Sequence, residues 1–177
     1  GAALLVPGSE ITLKNVGVNP TRDGVIKVLK DMGGDIEVFN CYNNFEPVAD
    51  IRVRYSKLHA ATISGDIIPT LIDEIPLIAA IASIAEGTTV IRDAAELKVK
   101  ESNRIKVMCD ELKKLGVNAV ETEDGMEITG STKLIGGVRI NTYNDHRIAM
   151  TFAVLNLISE GEIQLDNPKC VDISYPG

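Results

Sequence analysis

The sequence predicts an α/β (α+β) chain in which mixed sheets pack around helices, and three observations predict it. Strand-like and helix-like patterns alternate from one end of the chain to the other. They recur in blocks of ~50 to 60 residues that contain both hairpins and crossovers, as a repeated layered architecture does. Apolar residues make up 45% and aromatics only 4%, so a core of ordinary size must rest on Ile, Leu, Val and Ala. No low-complexity linker interrupts residues 1–177, so one domain is expected over the whole length.

Each element follows from local pattern. Ala2 to Val6 reads as the last turn of a helix stopped by Pro7-Gly8. Glu10 to Val16 alternates polar and apolar residues, as a half-buried strand does. A helix is expected over Arg22 to Met32, with Val25, Val28, Leu29 and Met32 on one face and Gly33-Gly34 as its stop. Asp35 to Tyr42 and Ala49 to Tyr55 read as strands around a polar turn near Asn43-Asn44-Phe45. Ala61 to Ile67 reads as a strand, and Asp73 to Ala85 as a helix apolar enough to be buried on several faces.

The strand Gly87 to Asp93 leads to an amphipathic helix, Arg104 to Leu115, closed by Gly116. Val117 to Glu121 and Met126 to Thr129 form a hairpin whose Asp124-Gly125 is a strong turn signal. A strand over Gly137 to Thr142, a helix over His146 to Ile158 and a strand over Glu162 to Asp166 complete the series. There is no initiator Met, and the chain stops at Ser174-Tyr175-Pro176-Gly177 without a closing element, so both ends read as cut.

Charge and cysteine usage exclude several function classes. A net charge of −7 argues against nucleic acid or an anionic membrane as partner, because both require a basic footprint. No apolar run reaches the ~18 residues of a membrane span, and no signal peptide is visible. Cys41, Cys109 and Cys170 are odd in number and lack metal-ligand spacing, which points to free thiols in a reducing, cytoplasmic compartment. With His59 and His146 the only histidines, no zinc site is expected, and His59 reads as a surface residue.

Three polar clusters fall at expected helix starts: Asp73-Glu74, Lys100-Glu101-Ser102-Asn103-Arg104, and Tyr143-Asn144-Asp145-His146-Arg147. In the second, an ammonium, a guanidinium and a carboxylate lie within a few residues, so donors for phosphate or carboxylate sit beside a proton carrier. The alternative is a capped helix start with solvated charges. In the third, Asn144 or Asp145 makes a good N-cap, but a cation at Arg147 opposes the helix dipole. A bound anion would reverse that sign, because free N–H groups, dipole and Arg147 could all face it. Asp73 either caps its helix or hydrogen-bonds a substrate hydroxyl and removes its proton. The Lys113-Lys114 pair reads as a solvated helix face.

Two of these clusters carry a resemblance. Leu97 through Lys100-Glu101-Ser102-Asn103-Arg104-Ile105 resembles the L-(R/K)-V-K-E-(S/T)-(D/N)-R motif of the 5-enolpyruvylshikimate-3-phosphate (EPSP) synthase family. Asn144-Asp145-His146-Arg147-Ile148-Ala149-Met150 resembles that family's DHR-(I/M)-A-M motif. Asn19-Pro20-Thr21-Arg22, Asp73-Glu74-Ile75-Pro76 and Ser174-Tyr175-Pro176 fall in the expected order around them, so the resemblance covers essentially the whole chain.

The resemblance implies one globular domain, the C-terminal one, of the two-domain enolpyruvyl transferase fold built from βαβαββ units. It implies enolpyruvyl transfer from phosphoenolpyruvate to the 5-hydroxyl of shikimate 3-phosphate with release of phosphate, and no cofactor or metal. Asp73 would contact shikimate 3-phosphate and help deprotonate its hydroxyl, and Lys100 would contact the same substrate. Glu101 would carry the proton to the methylene carbon of phosphoenolpyruvate. Arg104 and Arg147 would bind phosphoenolpyruvate, with His146 beside it. Some members place a lysine three residues before the last proline, where this chain has Ile173. The partner implied is the family's N-terminal domain, so the chain by itself is expected to fold without turnover. The enolpyruvyl transferase acting on UDP-N-acetylglucosamine and a non-catalytic binding module are the other readings of the same residues.

Overall fold

The computed structural model describes residues 1–176; Gly177, the last residue of the run from Ser174, lies outside the described residues. In order along the chain are α1 (Ala2–Leu5), β1 (Glu10–Gly17), α2 (Gly24–Asp31), β2 (Asp35–Asn44) and β3 (Glu46–Arg54). There follow β4 (Thr62–Ile63), α3 (Ile75–Ala82), β5 (Thr88–Ile91), α4 (Arg104–Lys114), β6 (Asn118–Glu121) and β7 (Met126–Thr129). The last elements are β8 (Val138–Ile140), α5 (His146–Leu155) and β9 (Ile163–Leu165). Short 3-10 turns, Ile72–Glu74 and Ala95–Val99 among them, lead into α3 and towards α4.

The strands form three sheets that follow the three sequence blocks. The first is antiparallel with order β1-β3-β2, the second has order β4-β5-β7-β6, and the third is the pair β8-β9. β4 runs parallel to β5 and β8 parallel to β9, and the remaining pairs are antiparallel, so the expected mixture of hairpins and crossovers is present. One continuous apolar core runs from Leu4 to Ile163 through all three blocks, built mainly of aliphatic side chains.

Helix α3 sits at its centre. Ile75, Pro76 and every residue from Ile78 to Ala82 are buried, which is why the segment is apolar on all sides. Pro76 lies in the first turn, where its missing N–H would have no intrahelical partner. Helices α4 and α5 pack against α3 and against each other. Ile105, Met108 and Leu112 of α4, and Ile148, Phe152 and Leu155 of α5, are fully buried in that contact.

Three expectations need correction. β1 is exposed at all but one position, although its pattern predicts a half-buried strand. It is an edge strand that pairs only with β3. Ile11 and Leu13 lie opposite the buried Val53 and Ile51 yet remain 45% exposed themselves. The strand expected over Ala61 to Ile67 shrinks to Thr62–Ile63, because Gly65 turns to φ 72° and a 3-10 turn over Gly65–Thr70 follows. Lys114 is not a purely solvated group. Its Nζ reaches the buried Glu111 at 2.6 Å and the carbonyl of Arg139 at 3.1 Å.

The hairpin β6–β7 forms as expected, but Gly125 is needed for a different reason from the one its Asp-Gly signal gives. A Cβ there would lie 1.9 Å from the carbonyl oxygen of Ile91, so the turn is pressed against the end of β5. Asp124 fastens it from the same side, accepting from the amide of Asp93 at 2.9 Å.

Candidate functional site

The starts of α3, α4 and α5 meet at one end of the bundle, and Arg104 is where they meet. Its side chain is 1% exposed. Nε donates to Asp145 Oδ2 at 2.8 Å, and Nη2 to Asp145 Oδ1 at 3.2 Å and Glu101 Oε2 at 2.7 Å. Nη1 donates to Asp73 Oδ1 at 3.3 Å, the longest of these contacts. One guanidinium thus joins carboxylates from the approach to α3, the approach to α4 and the N-cap of α5. The planar five-donor fork of arginine suits such a junction, where a lysine would offer one point charge.

Two of these helix starts are fixed by side-chain capping. Asn103 caps α4 by accepting from the amide of Lys106 at 3.1 Å. Asp145 caps α5 by accepting from the amide of Arg147 at 3.0 Å. Asp145 is fully buried and also accepts from Ser102 Oγ at 2.9 Å. Burial pushes its carboxyl up, and the hydrogen bonds from Arg104 and Ser102 outweigh that, leaving the pKa below the usual carboxylate range. Burial likewise works against the charge of Arg104, and Asp145 more than restores it.

Asp73 lies among the other cations. Lys100 Nζ stands 3.7 Å from its Oδ1, and Arg147 Nη2 stands 4.0 Å from its Oδ2. Lys100 is also bonded to Glu96, and that bond, the largest influence, raises the lysine pKa. Arg147 is half-buried and donates through Nη1 to the Asp73 carbonyl at 3.1 Å and to Glu74 Oε1 at 3.3 Å. His146 is half-buried at the first position of α5. Glu101, 52% exposed, has one carboxylate oxygen on Arg104.

Of the residues expected at the site from sequence, Asp73, Lys100, Glu101, Arg104 and Arg147 are joined by these contacts, and His146 is their neighbour only in sequence, between Asp145 and Arg147. The sequence reading missed Glu96, which is legible only as the acidic member of an i,i+4 pair with Lys100. It also left open what Asp145 does beyond capping. The dipole argument against Arg147 is answered in part by Glu74, a residue 73 positions away that no local pattern connects to it. The site holds five carboxylates, Asp73, Glu74, Glu96, Glu101 and Asp145, against three cations, Lys100, Arg104 and Arg147.

Among the described residues, no group of three His, Cys, Asp or Glu side chains is placed to hold a metal ion. No helix among them is long and apolar enough to cross a membrane.

Comparison with known proteins identifies the family. The family model for EPSP synthase (3-phosphoshikimate 1-carboxyvinyltransferase) matches residues 1–177. The 3-phosphoshikimate 1-carboxyvinyltransferase of Bacillus licheniformis is 56% identical over 176 residues, which cover 99% of this chain and 41% of that protein. The enzyme of the same name from Thermoanaerobacter pseudethanolicus is 58% identical over 177 residues, with the same coverage. Among solved structures, the EPSP synthase of Acinetobacter baumannii superposes with a TM-score of 0.94 at 41% identity, over 99% of this chain and 41% of that one. The enolpyruvyl transferase NikO of Streptomyces tendae shares the fold, with a TM-score of 0.77 at 18% identity over 98% of this chain and 38% of that one. The chain spans about 41% of the length of the curated relatives it matches. With the family model matched over its whole length, the chain belongs to the EPSP synthase family.

Proposed function

We propose that this chain is the C-terminal domain of an EPSP synthase and forms one wall of its active site. The reaction is enolpyruvyl transfer from phosphoenolpyruvate to the 5-hydroxyl of shikimate 3-phosphate, with release of phosphate. The observation that carries the proposal is the convergence of three helix starts on Arg104, two of them capped by side chains, with Asp73 and Glu101 both on its guanidinium.

The chemistry is an addition followed by an elimination. A proton must reach the methylene carbon of phosphoenolpyruvate while the substrate hydroxyl, losing its own proton, attacks the adjacent carbon. The proton then leaves the new methyl group as the phosphate departs. Glu101 is the proton carrier: it is half-exposed and one oxygen is held by Arg104, which fixes its position without enclosing it. Asp73 takes the hydroxyl proton and contacts shikimate 3-phosphate, with Lys100 as a further contact to that substrate.

Arg104 and Arg147 receive phosphoenolpyruvate, with His146 beside it. For Arg104 the Nη1 edge is the one to exchange, since its bond to Asp73 is the longest it makes. Arg147 is the more accessible guanidinium and pairs only with groups at the start of α3. The positive end of the α5 dipole favours an anion there, although Asp145 already takes the Arg147 amide.

Five carboxylates against three cations do not by themselves attract two multiply charged anions. Additional cations must close on the site, and the N-terminal domain of the same enzyme is their source. The free thiols Cys41, Cys109 and Cys170 fit a reducing cytoplasm.

The test is kinetic, on the full-length enzyme carrying this segment. Glu101→Gln and Asp73→Asn should each lower kcat by ~10²- to 10⁴-fold, the usual worth of a positioned acid or base. A full-length enzyme that releases no phosphate from the two substrates, or variants that keep full activity, would defeat the proposal.

A further inference from the structure

The turn that delivers Asp145, His146 and Arg147 has an unfavourable backbone. Tyr143 and Asn144 are consecutive left-handed residues, with φ of 54° and 57°. Asn tolerates that region through its short polar side chain, whereas Tyr has no such excuse. The ring of Tyr143 is 55% exposed, so side-chain packing does not hold the conformation either. A strained pair persists only where its surroundings over-determine it.

One hydrogen bond closes the turn itself, from the Asp145 amide to the Thr142 carbonyl at 2.9 Å, and bonds from outside the turn supply the rest of the constraint. Asp166, the residue after β9, accepts from both the amide and the hydroxyl of Thr142, at 2.8 and 2.7 Å through one oxygen. The same oxygen accepts from the Asn167 amide at 2.7 Å. Asn167 Nδ2 then donates to Asn144 Oδ1 at 2.8 Å. On the other side, the buried Glu111 of α4 accepts from the amide of Asn141 at 3.0 Å. The strand pair is continued by the Asp166 amide, which donates to the Ile140 carbonyl at 3.0 Å. Residues on both sides of Tyr143 are therefore pinned while Tyr143 itself is not. Partial burial pushes the Asp166 carboxyl up, and its Thr142 and Asn167 donors outweigh this and hold it below the usual range.

We propose that Asp166 is a positioning residue: it clamps Thr142, forces the Tyr143–Asn144 turn into its left-handed form, and so aims the start of α5 at the site. It touches none of the groups placed at the chemistry and acts on Thr142 directly and on Asn144 by way of Asn167. The consequence is specific to one substrate. Arg147 and His146 ride on the clamped turn, whereas Asp73 and Lys100 stand on the approaches to α3 and α4. Loosening the clamp misplaces the phosphoenolpyruvate contacts and spares those to shikimate 3-phosphate. This kinetic consequence rests on the function proposed above; the clamp itself does not.

Two measurements keep these apart. In the full-length enzyme, Asp166→Ala should raise KM for phosphoenolpyruvate about 10-fold, within the range a small misplacement produces, and leave KM for shikimate 3-phosphate unchanged. Asp166→Asn keeps an acceptor for Thr142 and should restore most of the loss. Asp50→Asn, at a carboxylate of the distant first sheet, should lower stability without that split. In the 177-residue chain, with no substrate present, Asp166→Ala should speed amide exchange at Thr142, Asp145 and Arg147 about 10-fold, with the β6–β7 amides unaffected. If that variant fails to fold, Thr142→Val, which removes only the hydroxyl bond, is read in the same way. Unchanged or uniformly accelerated exchange overturns the clamp, as does an equal rise in both KM values. A wild-type enzyme without transfer activity, with the local exchange effect present, sinks the function and leaves the clamp standing.

Discussion

Arg104 Nε donates to Asp145 Oδ2 at 2.8 Å, and the carboxylate so engaged is also the N-cap of α5. One buried ion pair therefore fixes the start of α4 against the start of α5, at the place where phosphoenolpyruvate is proposed to bind. Buried pairs contribute little net stability when compared with apolar replacements, but breaking one leaves an uncompensated charge.

Removing Arg104 should accordingly be costly. Arg104→Ala is expected to destabilise the chain by about 3–5 kcal/mol, because Asp145 is left buried and unpaired. Urea denaturation of the two single variants and of Arg104→Ala with Asp145→Asn measures the pair. Their coupling should exceed ~1 kcal/mol, as for groups in direct contact. Additive losses would show that the pair is not a unit.

The first sheet carries an acid-sensitive carboxylate. Asp50 accepts from Lys14 Nζ at 2.8 Å, Asn40 Nδ2 at 2.9 Å and the Asn15 amide at 3.1 Å. The Lys14 hydrogen bond, followed by that of Asn40, holds its pKa at about 2. That lies below the ~3.9 of an unfolded aspartate. The contribution is therefore fully present above pH ~4 and is lost as pH falls towards 2. Asp145 and Asp166 are shifted in the same direction. Thermal melts between pH 5 and 2 should fall less steeply for Asp50→Asn than for the wild type, and parallel curves would contradict the assignment.

Two glycines should respond in opposite ways. Gly125→Ala places a Cβ 1.9 Å from the Ile91 carbonyl oxygen and should cost roughly 1–3 kcal/mol or more, as overpacking does. Gly17→Ala, with nothing within 4 Å and no positive φ, should be neutral or slightly stabilising. Equal effects in melting temperature would disprove the close approach of the hairpin to β5.

Thiol reactivity reads the fold independently. Cys41 is exposed, whereas Cys109 and Cys170 are buried. Burial pushes the Cys109 thiol up to about 11, so almost none is thiolate near neutral pH. Alkylation at pH 7.5 followed by peptide mass spectrometry should label Cys41 quickly, and the other two only after unfolding.

The helices and the hairpins were legible because their signals are local. Val28, Leu29 and Met32 recur at helical spacing and are buried, and Asn103 announces the start of α4. The shortening of β4 was less so, although Gly65 and Pro69 were visible breakers in or beside the expected strand. The exposure of β1 could not be read at all, since alternation reports which residues share a face and not whether that face is covered. At the site, the sign conflict at Arg147 pointed to something unusual. Its resolution required Asp73 and Glu74 from a distant helix start. Likewise Asp145 reads as a cap in sequence, and only the fold brings Arg104 from 41 residues away to meet it.

The groups around Arg104 are proposed to form one wall of an active site that the N-terminal domain completes. Phosphate release from phosphoenolpyruvate and shikimate 3-phosphate, followed for the 177-residue chain alone and for the full-length enzyme carrying it, is the decisive measurement. The full-length enzyme should release phosphate and the chain alone should not. Release by the chain alone, or none from the full-length enzyme, would contradict the proposal.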